Sequence, residues 1–468
     1  MRLNLNRLST VWVLVFLYTL LAGLLMQFVV LPHLLPSWHE GDGILKGMDG
    51  PQFHDAALAL SERIKAEGWS AWELYPDRQF VAGVMAIFYT LIYPKPWSIL
   101  PLNAALNASA AVCMVLLMEV FLGDRRRSLI AALPFVVFPS SMVWHTQMHN
   151  ENYAVPAVVA LLLGWAMLAA WVTESRRVSV GAALLLITLG SWLQAMVRDY
   201  ILFLMLALVL PAALALAIAA LRLAKRSESA VAWWRKLAVM ATAAGIMAAL
   251  TAAYYWPLQA ALLADQMGPS QTEPRRQERT PQDSPYVRVE EAQTLERWEH
   301  AEWMPAFLDE QLLQFALTHN RMRQGTPFVG SIVDPDTVFL SAGDIAAYVP
   351  RALHVALLSP FPNIWFASGR KVTSSGLRLA VIPETIAAYA CLLALPYFLW
   401  KQRRSAAVWT VVFLCFAMLV FYGLAVPNAG ALQRFRFPYY LPLVCMGLAG
   451  WLEIIRRGRS LEAASKTV

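Results

Sequence analysis

The chain has 468 residues, of which 58% are hydrophobic and 15% charged, whereas an ordinary soluble domain carries roughly 25% charged residues. Its formal net charge of +7 is gathered in short basic clusters at the ends of apolar runs, which marks membrane topology and excludes a nucleic-acid-binding face. Apolar runs of about 20 residues recur, each long enough to cross a bilayer as a helix, and the short alternating segments of a membrane barrel do not occur.

Arg2 and Arg7 precede an apolar run over 11–35. That run is too long for a signal peptide and lacks a small-residue cleavage site, so it reads as a retained first span with the N-terminus inside. The stretch 36–79 then lies outside. Within it, Glu40, Asp42, Asp49, Asp55, His39 and His54 cluster. Phe53, Ala56, Ala57, Leu60 and Ile64 recur at helical spacing, Pro51 suits a first turn and Gly68 suits the end. The pattern predicts an amphipathic helix lying in the membrane interface, with Asp49 at its mouth. Asp49 reads equally as an N-cap and as a catalytic carboxylate.

The short apolar segment 80–93 ends in Pro94-Lys95-Pro96, and the span 97–122 ends in Asp124-Arg125-Arg126-Arg127. If both crossed, that arginine cluster would be outside, so 80–93 is expected to stay in the interface. Spans follow at 128–144, 152–171, 178–197, 200–221 and 236–263. Their outside connections are 145–151 and Arg198-Asp199. From 264 to 346 the chain is polar, with Trp298, Trp303 and Pro305 interspersed, and reads as one large outside loop, partly disordered over 269–285. The segment 348–366 is broken by Pro350, Pro360 and Pro362. It is expected to be a second interfacial element, because crossing would put Lys401-Gln402-Arg403-Arg404 outside. The last spans are 379–400, 405–426 and 438–455.

The expected fold is therefore an all-α polytopic membrane protein with about ten transmembrane helices, interfacial helices and one large extracytoplasmic loop. The expected division is a transmembrane module over 1–263, the loop 264–346, an interfacial segment 347–378 and a second transmembrane module over 379–468. Cys113, Cys391, Cys415 and Cys445 all lie in apolar runs and imply neither a ligand set nor a disulfide framework.

Four groups near the outer surface could carry chemistry. Asp42, Asp49 and Asp55 could supply a general base or bind a divalent cation. His145, His149 and Glu151 share the end of a span and read either as an acceptor or metal site or as an ordinary polar connection. Arg198 reads as a functional residue or as a snorkelling side chain paired with its neighbour Asp199. Arg434 and Arg436 run against the positive-inside bias. A bound anion would offset them, since guanidinium fits phosphate bidentately, and lipid head groups would do the same. A divalent metal ion is the one cofactor these residues leave room for.

These residues resemble the GT-C superfamily of polytopic glycosyltransferases, and within it the bacterial group similar to the protein O-mannosyltransferases and the aminoarabinose transferase. The carriers are Asp49, Phe53 and Ala57 in the first outer loop, Phe121-Leu122-Gly123-Asp124-Arg125 at a span end, and Phe138-Pro139-Ser140 before Glu151. Arg198 and Arg434-x-Arg436-x-Pro438 complete the set. The resemblance covers the first two hundred residues and the last forty, and is silent on the large loop. It implies a GT-C-like fold in a bacterial inner membrane, with the active site facing outward. It further implies a polyprenyl-phosphate sugar donor, a lipid, glycan or protein acceptor, and an inverting single displacement with Asp49 as base, Arg198, Arg434 and Arg436 stabilising the departing phosphate, and Asp55 and Glu151 placing acceptor or metal. Where the family's first motif has a second acidic residue, this chain has Gly50, which keeps Asp42 and Asp55 open as rivals for the base.

Two other readings stand beside it. A polymerase or ligase of lipid-linked polysaccharide would lean on Arg434 and on the large loop near Arg321, Arg323 and Arg351. A transporter of lipid-linked saccharide would want ionisable groups within its spans, and the spans are clean away from their ends.

Overall fold

The computed structural model describes residues 7–174, 178–227, 230–267, 293–324, 332–366 and 372–465. The chain is helical. In order run α1 (Leu8–Leu34), α2 (Gly50–Glu67), α3 (Phe80–Leu91), α4 (Pro96–Leu122), α5 (Arg125–Val137), α6 (Pro139–His145), α7 (Glu151–Glu174), α8 (Val180–Arg198), α9 (Tyr200–Arg222) and α10 (Trp233–Tyr254). After them come α11 (Ala306–Gln324), α12 (Ala342–Leu358), α13 (Ser375–Lys401), α14 (Ala406–Ala425) and α15 (Ala429–Gly458). Among the described residues nine helices are long and apolar enough to cross a membrane, or ten if the bent pair α5–α6 counts as one span. The protein is an all-α, multi-pass membrane protein.

One compact unit comprises residues 1–259, 383–414 and 441–468. α7 is its centre, with most of its side chains out of solvent. It packs so closely on α8 that a Cβ on Gly164 would stand 2.7 Å from Ile187, and one on Gly190 would stand 2.7 Å from the carbonyl of Ala157. Small residues let two backbones approach where lipid supplies no hydrophobic drive between helices. α1 is tied to α4 by polar pairs, Asn107 Nδ2 donating to Thr19 Oγ1 at 2.8 Å and Trp12 Nε1 donating to Ser109 Oγ at 3.0 Å.

α2 forms where the apolar stripe predicts it and stops at Gly68, which takes φ 89°. Phe53, Ala57, Leu60 and Ile64 are buried as expected. Their cover, however, is protein. Phe53 and Ala57 pack in one cluster with Ala82, Met85 and Tyr89 of α3, and Leu60 and Ile64 pack on Ala86. The expected interfacial helix is thus seated on its neighbour, and its apolar face is not left for lipid. α3 itself spans only about 18 Å at 1.5 Å per residue, too short for a hydrocarbon core of about 30 Å.

The expected straight span over 128–144 is bent by 61° between α5 and α6. Pro139 has no N–H to continue the helix and holds Phe138 extended, at ψ 129°.

The second compact unit comprises residues 260–382 and 415–440. Within the stretch read as one large outside loop, its described part carries the helix α11 and the start of α12, and residues 269–285 lie outside the described residues. Trp298, Leu313, Ala316, Leu317, Phe339 and Ile345 form a core with Ala352 and Leu424. Asn320 holds the backbone of Phe339 from both sides, Nδ2 donating to its carbonyl at 3.0 Å and Oδ1 accepting its N–H at 3.1 Å. This unit takes in the described parts of the loop and of the 347–378 segment together with residues 415–440.

The span expected over 438–455 begins at Ala429 instead. Asn428 caps it, its Oδ1 accepting from the N–H groups of Gly430 at 3.0 Å and Ala431 at 3.2 Å. Pro438, which looks like a helix start in the sequence, lies inside. Arg434 and Arg436 are accordingly helical residues and do not sit in a loop.

Candidate active site

Asp49 is half-buried at the N-cap position of α2, yet its side chain makes no capping hydrogen bond; its carbonyl accepts from Phe53 N–H at 3.2 Å. Its carboxylate therefore sits at the positive end of a helix without serving as the cap. Asp55, one turn into α2, is exposed.

Asp42 occupies a tight turn at φ 52°. Its carboxylate accepts from Lys95 Nζ at 2.5 Å and faces His54 Nε2 at 3.7 Å. On the other side of the ring, His54 Nδ1 meets the hydroxyl of Tyr89 at 2.7 Å. Burial lowers the pKa of His54 below the ordinary imidazole value, against the raising pull of Asp42 and Asp55, and Lys95 adds to the lowering. The imidazole is therefore neutral at pH 7. Burial also pushes the Tyr89 phenol up, so it keeps its proton. Lys95, Asp42, His54 and Tyr89 thus form one polar chain joining the 39–45 turn, α2, α3 and the turn before α4. The sequence offers no signal for Tyr89 or Lys95 as members, because their partners lie 35 and 53 residues away.

The connection expected to be an outer polar loop is buried. His145, His149, Glu151 and Gln147 are at most 2% exposed. Gln147 accepts the N–H of Leu45 at 2.9 Å and donates to the carbonyl of Gly43 at 3.1 Å, stitching this segment to the turn that carries Asp42. Gln27 Nε2 donates to the Thr146 carbonyl at 2.9 Å, and Asn103 and Asn152 donate to the carbonyl of Gln147. A polar segment is tolerated inside because amides answer its backbone groups. Glu151, in the first turn of α7, forms an ion pair with Arg198, whose φ of −154° breaks α8 from α9. Among the described residues no three His, Cys, Asp or Glu side chains gather into a group that could hold a metal ion, so His145, His149 and Glu151 do not form such a cage.

The arginines of the second unit are engaged by protein. Arg436 is 2% exposed. Its terminal nitrogens donate to the carbonyls of Ala356 and Ser359 at the end of α12 and to Gln433 Oε1, and its guanidinium lies 4.5 Å from the ring centroid of Tyr440. It satisfies carbonyls that the end of a helix leaves open. Arg434 lies over the ring of Phe435 at 5.3 Å. Arg351 grips Asp334 through Nε and Nη2, both at 2.8 Å, and holds that carboxyl below the usual range, while Arg323 donates to the carbonyl of Pro335 at 2.8 Å.

No family model matches the chain, and no curated protein matches it. Among solved structures, two of ArnT from Cupriavidus metallidurans are similar. The apo crystal structure aligns at 14% identity and TM-score 0.32, covering 94% of this chain and 78% of that one. The structure bound to undecaprenyl phosphate aligns at 15% identity and TM-score 0.35, covering 94% and 77%. At these scores the likeness carries no residue-by-residue correspondence.

Proposed function

We propose that the chain is a membrane glycosyltransferase that moves a sugar from a polyprenyl-phosphate donor to a lipid, glycan or protein acceptor. The observation that carries this is the carboxylate of Asp49, half-buried at the positive end of α2 and not used in capping. It stands where the sequence motif of Asp49, Phe53 and Ala57 places a catalytic base. Asp42 lies in a tight turn and Asp55 is exposed on the helix, and neither stands at the positive end of α2, where Asp49 does.

In the proposed reaction Asp49 takes the proton of an acceptor hydroxyl as its oxygen attacks the anomeric carbon. The bond from that carbon to the phosphate oxygen breaks with inversion, and the electron pair leaves on the polyprenyl phosphate. On chemical grounds, Arg434 is the proposed donor-phosphate ligand, because guanidinium matches phosphate with two parallel hydrogen bonds. Arg198 and Arg436 act as scaffold, one paired with Glu151 and the other with carbonyls of α12.

The test uses the purified full-length protein in lipid with a radiolabelled polyprenyl-phosphate sugar and candidate acceptors, with and without chelator. Asp49→Asn should lower transfer about 10²- to 10⁴-fold at normal membrane levels, while Asp42→Asn and Asp55→Asn keep most of it. Full transfer by Asp49→Asn removes that residue as base. A wild type that neither binds nor consumes any such donor removes the donor class.

A further inference from the structure

Several helix ends meet at one face of the first unit. Residues 402–405 join α13 to α14, and both helices are long and apolar enough to cross the membrane, so this short turn lies at a membrane surface. α15 ends beside it. A Cβ on Gly447 would stand 2.2 Å from the carbonyl of Cys391, and one on Gly450 would stand 2.4 Å from that of Ala394. The contacts advance by three residues on each helix, so α13 and α15 run parallel. Arg456 follows Gly450 by six residues and Lys401 follows Ala394 by seven, which leaves them level to within one residue's rise, roughly 1.5 Å. Gln402 Nε2 donates to the carbonyl of Phe121 at 3.2 Å, Ser405 Oγ donates to Glu174 Oε1 at 2.7 Å, and Arg127 pairs with Glu453. These bonds bring in the ends of α4 and α7 and the start of α5.

Three tryptophans mark the level of the membrane surface here. Trp400 lies in the last turn of α13, Trp409 in the first turn of α14 and Trp451 two turns before the end of α15, and they are 67%, 43% and 37% exposed. Each is held in place. Trp409 Nε1 donates to the carbonyl of Arg403 at 3.1 Å, Trp451 Nε1 donates to that of Ala390 at 2.7 Å, and the guanidinium of Arg403 lies 4.9 Å from the ring centroid of Trp400. Amphipathic rings at the ends of spans belong at the headgroup level.

The charges at this face are sorted. Glu119 pairs with Arg125 at 2.6 Å, Asp124 accepts the N–H of Arg127 at 2.8 Å, Glu453 pairs with Arg127, and Glu174 takes the Ser405 hydroxyl. Arg126, Lys401, Arg404 and Arg456 are exposed. The bias of positive residues toward one side of the membrane accounts for each basic cluster along the chain. It does not account for three clusters, far apart in sequence, being packed around one turn while the acids beside them are engaged by protein.

We propose that Lys401, Arg404 and Arg456, with Arg126 beside them, bind the phosphate of an anionic phospholipid in the leaflet at this face. Guanidinium and ammonium groups at the ends of packed spans match a lipid phosphate, and the exposed tryptophans set the depth at which its acyl chains begin. A phosphatidylcholine headgroup carries its own cation and gains less from the same side chains. The site is independent of the donor reading and stands whether or not the chain transfers a sugar.

The test titrates the purified full-length protein with phosphatidylglycerol or phosphatidylcholine and counts bound lipid by native mass spectrometry. Wild type should bind phosphatidylglycerol more tightly. At about fivefold for each basic residue, Arg404→Gln/Arg456→Gln should lose roughly 25-fold in phosphatidylglycerol affinity and keep its phosphatidylcholine affinity. Arg404→Lys/Arg456→Lys keeps the charge and should retain most of the binding, which guards against a glutamine pair that fails to fold. Arg222→Gln/Arg235→Gln removes the same charge from the exposed ends of α9 and α10 and should stay within about twofold of wild type. Equal affinity of wild type for the two lipids would overturn the site, and so would wild-type binding by Arg404→Gln/Arg456→Gln. An equal loss in Arg222→Gln/Arg235→Gln would overturn it as well, since the attraction would then be that of the whole basic side. Displacement of phosphatidylglycerol by excess soluble glycerol phosphate would replace the lipid with a free phosphate as occupant.

Discussion

Arg198 donates through Nη2 to Oε1 of Glu151, 47 residues earlier, and the two side chains are 7% and 1% exposed. A positive residue at the break between α8 and α9 is thereby neutralised at the first turn of α7. Removing one partner leaves a buried charge without its counter-ion. Arg198→Met or Glu151→Leu alone should cost about 3–5 kcal/mol, and the double variant Arg198→Met/Glu151→Leu should recover much of it. Denaturant titrations of the four proteins in one detergent check this through a double-mutant cycle.

Arg436 makes a parallel case in the second unit, with neutral acceptors. Lysine keeps the charge but lacks the planar fork that reaches the carbonyls of Ala356 and Ser359 together. Arg436→Lys should lose about 1.5–3 kcal/mol, with faster amide exchange concentrated in the last turn of α12 and its exit at Ser359. Unchanged exchange there would mean the clamp does not hold that helix end.

The Gln147 amide uses its donor and its acceptor on one turn, at Gly43 and Leu45. Gln147→Glu turns the donor into a second acceptor facing a carbonyl and buries a charge, so it should be more damaging than Gln147→Ala. The alanine variant should cost about 1–3 kcal/mol. Proteolysis between residues 39 and 47 should accelerate in the order wild type, alanine, glutamate.

His54 yields a pH dependence whose sign follows from its burial. Its folded pKa lies below the ordinary value of 6.5, so the unfolded chain takes up a proton first as pH falls. The stability held by neutral His54 is whole above pH 6.5 and is lost as pH drops from there through the folded value. Asp42, Asp55, Lys95 and Tyr89 are the charged and polar groups around it. Melting temperatures recorded from about pH 7.5 to 5.5 should fall more steeply for wild type than for His54→Gln. Parallel curves would remove His54 as the group responsible.

Much of the fold is legible along the chain. The break at Arg198 can be read because a charge interrupts an apolar run, and α2 can be read because Phe53, Ala57, Leu60 and Ile64 keep one helical phase. The start of α15 is misread because Pro438 resembles a first-turn proline, while the cap at Asn428 sits ten residues upstream in a run with little periodicity. The bend at Pro139 hides inside a run whose hydropathy is continuous.

The order of residues alone makes this chain a set of membrane helices, with carboxylates gathered before α2. That character depends on run length, hydropathy and local phase, which accumulate residue by residue whatever the chain does elsewhere. Packing between distant segments sets the rest: α3 covers α2, Glu151 neutralises Arg198, Arg436 closes the end of α12, and His54 stands between Asp42 and Tyr89. Each of these depends on which faces of distant helices meet, and no local pattern encodes that choice.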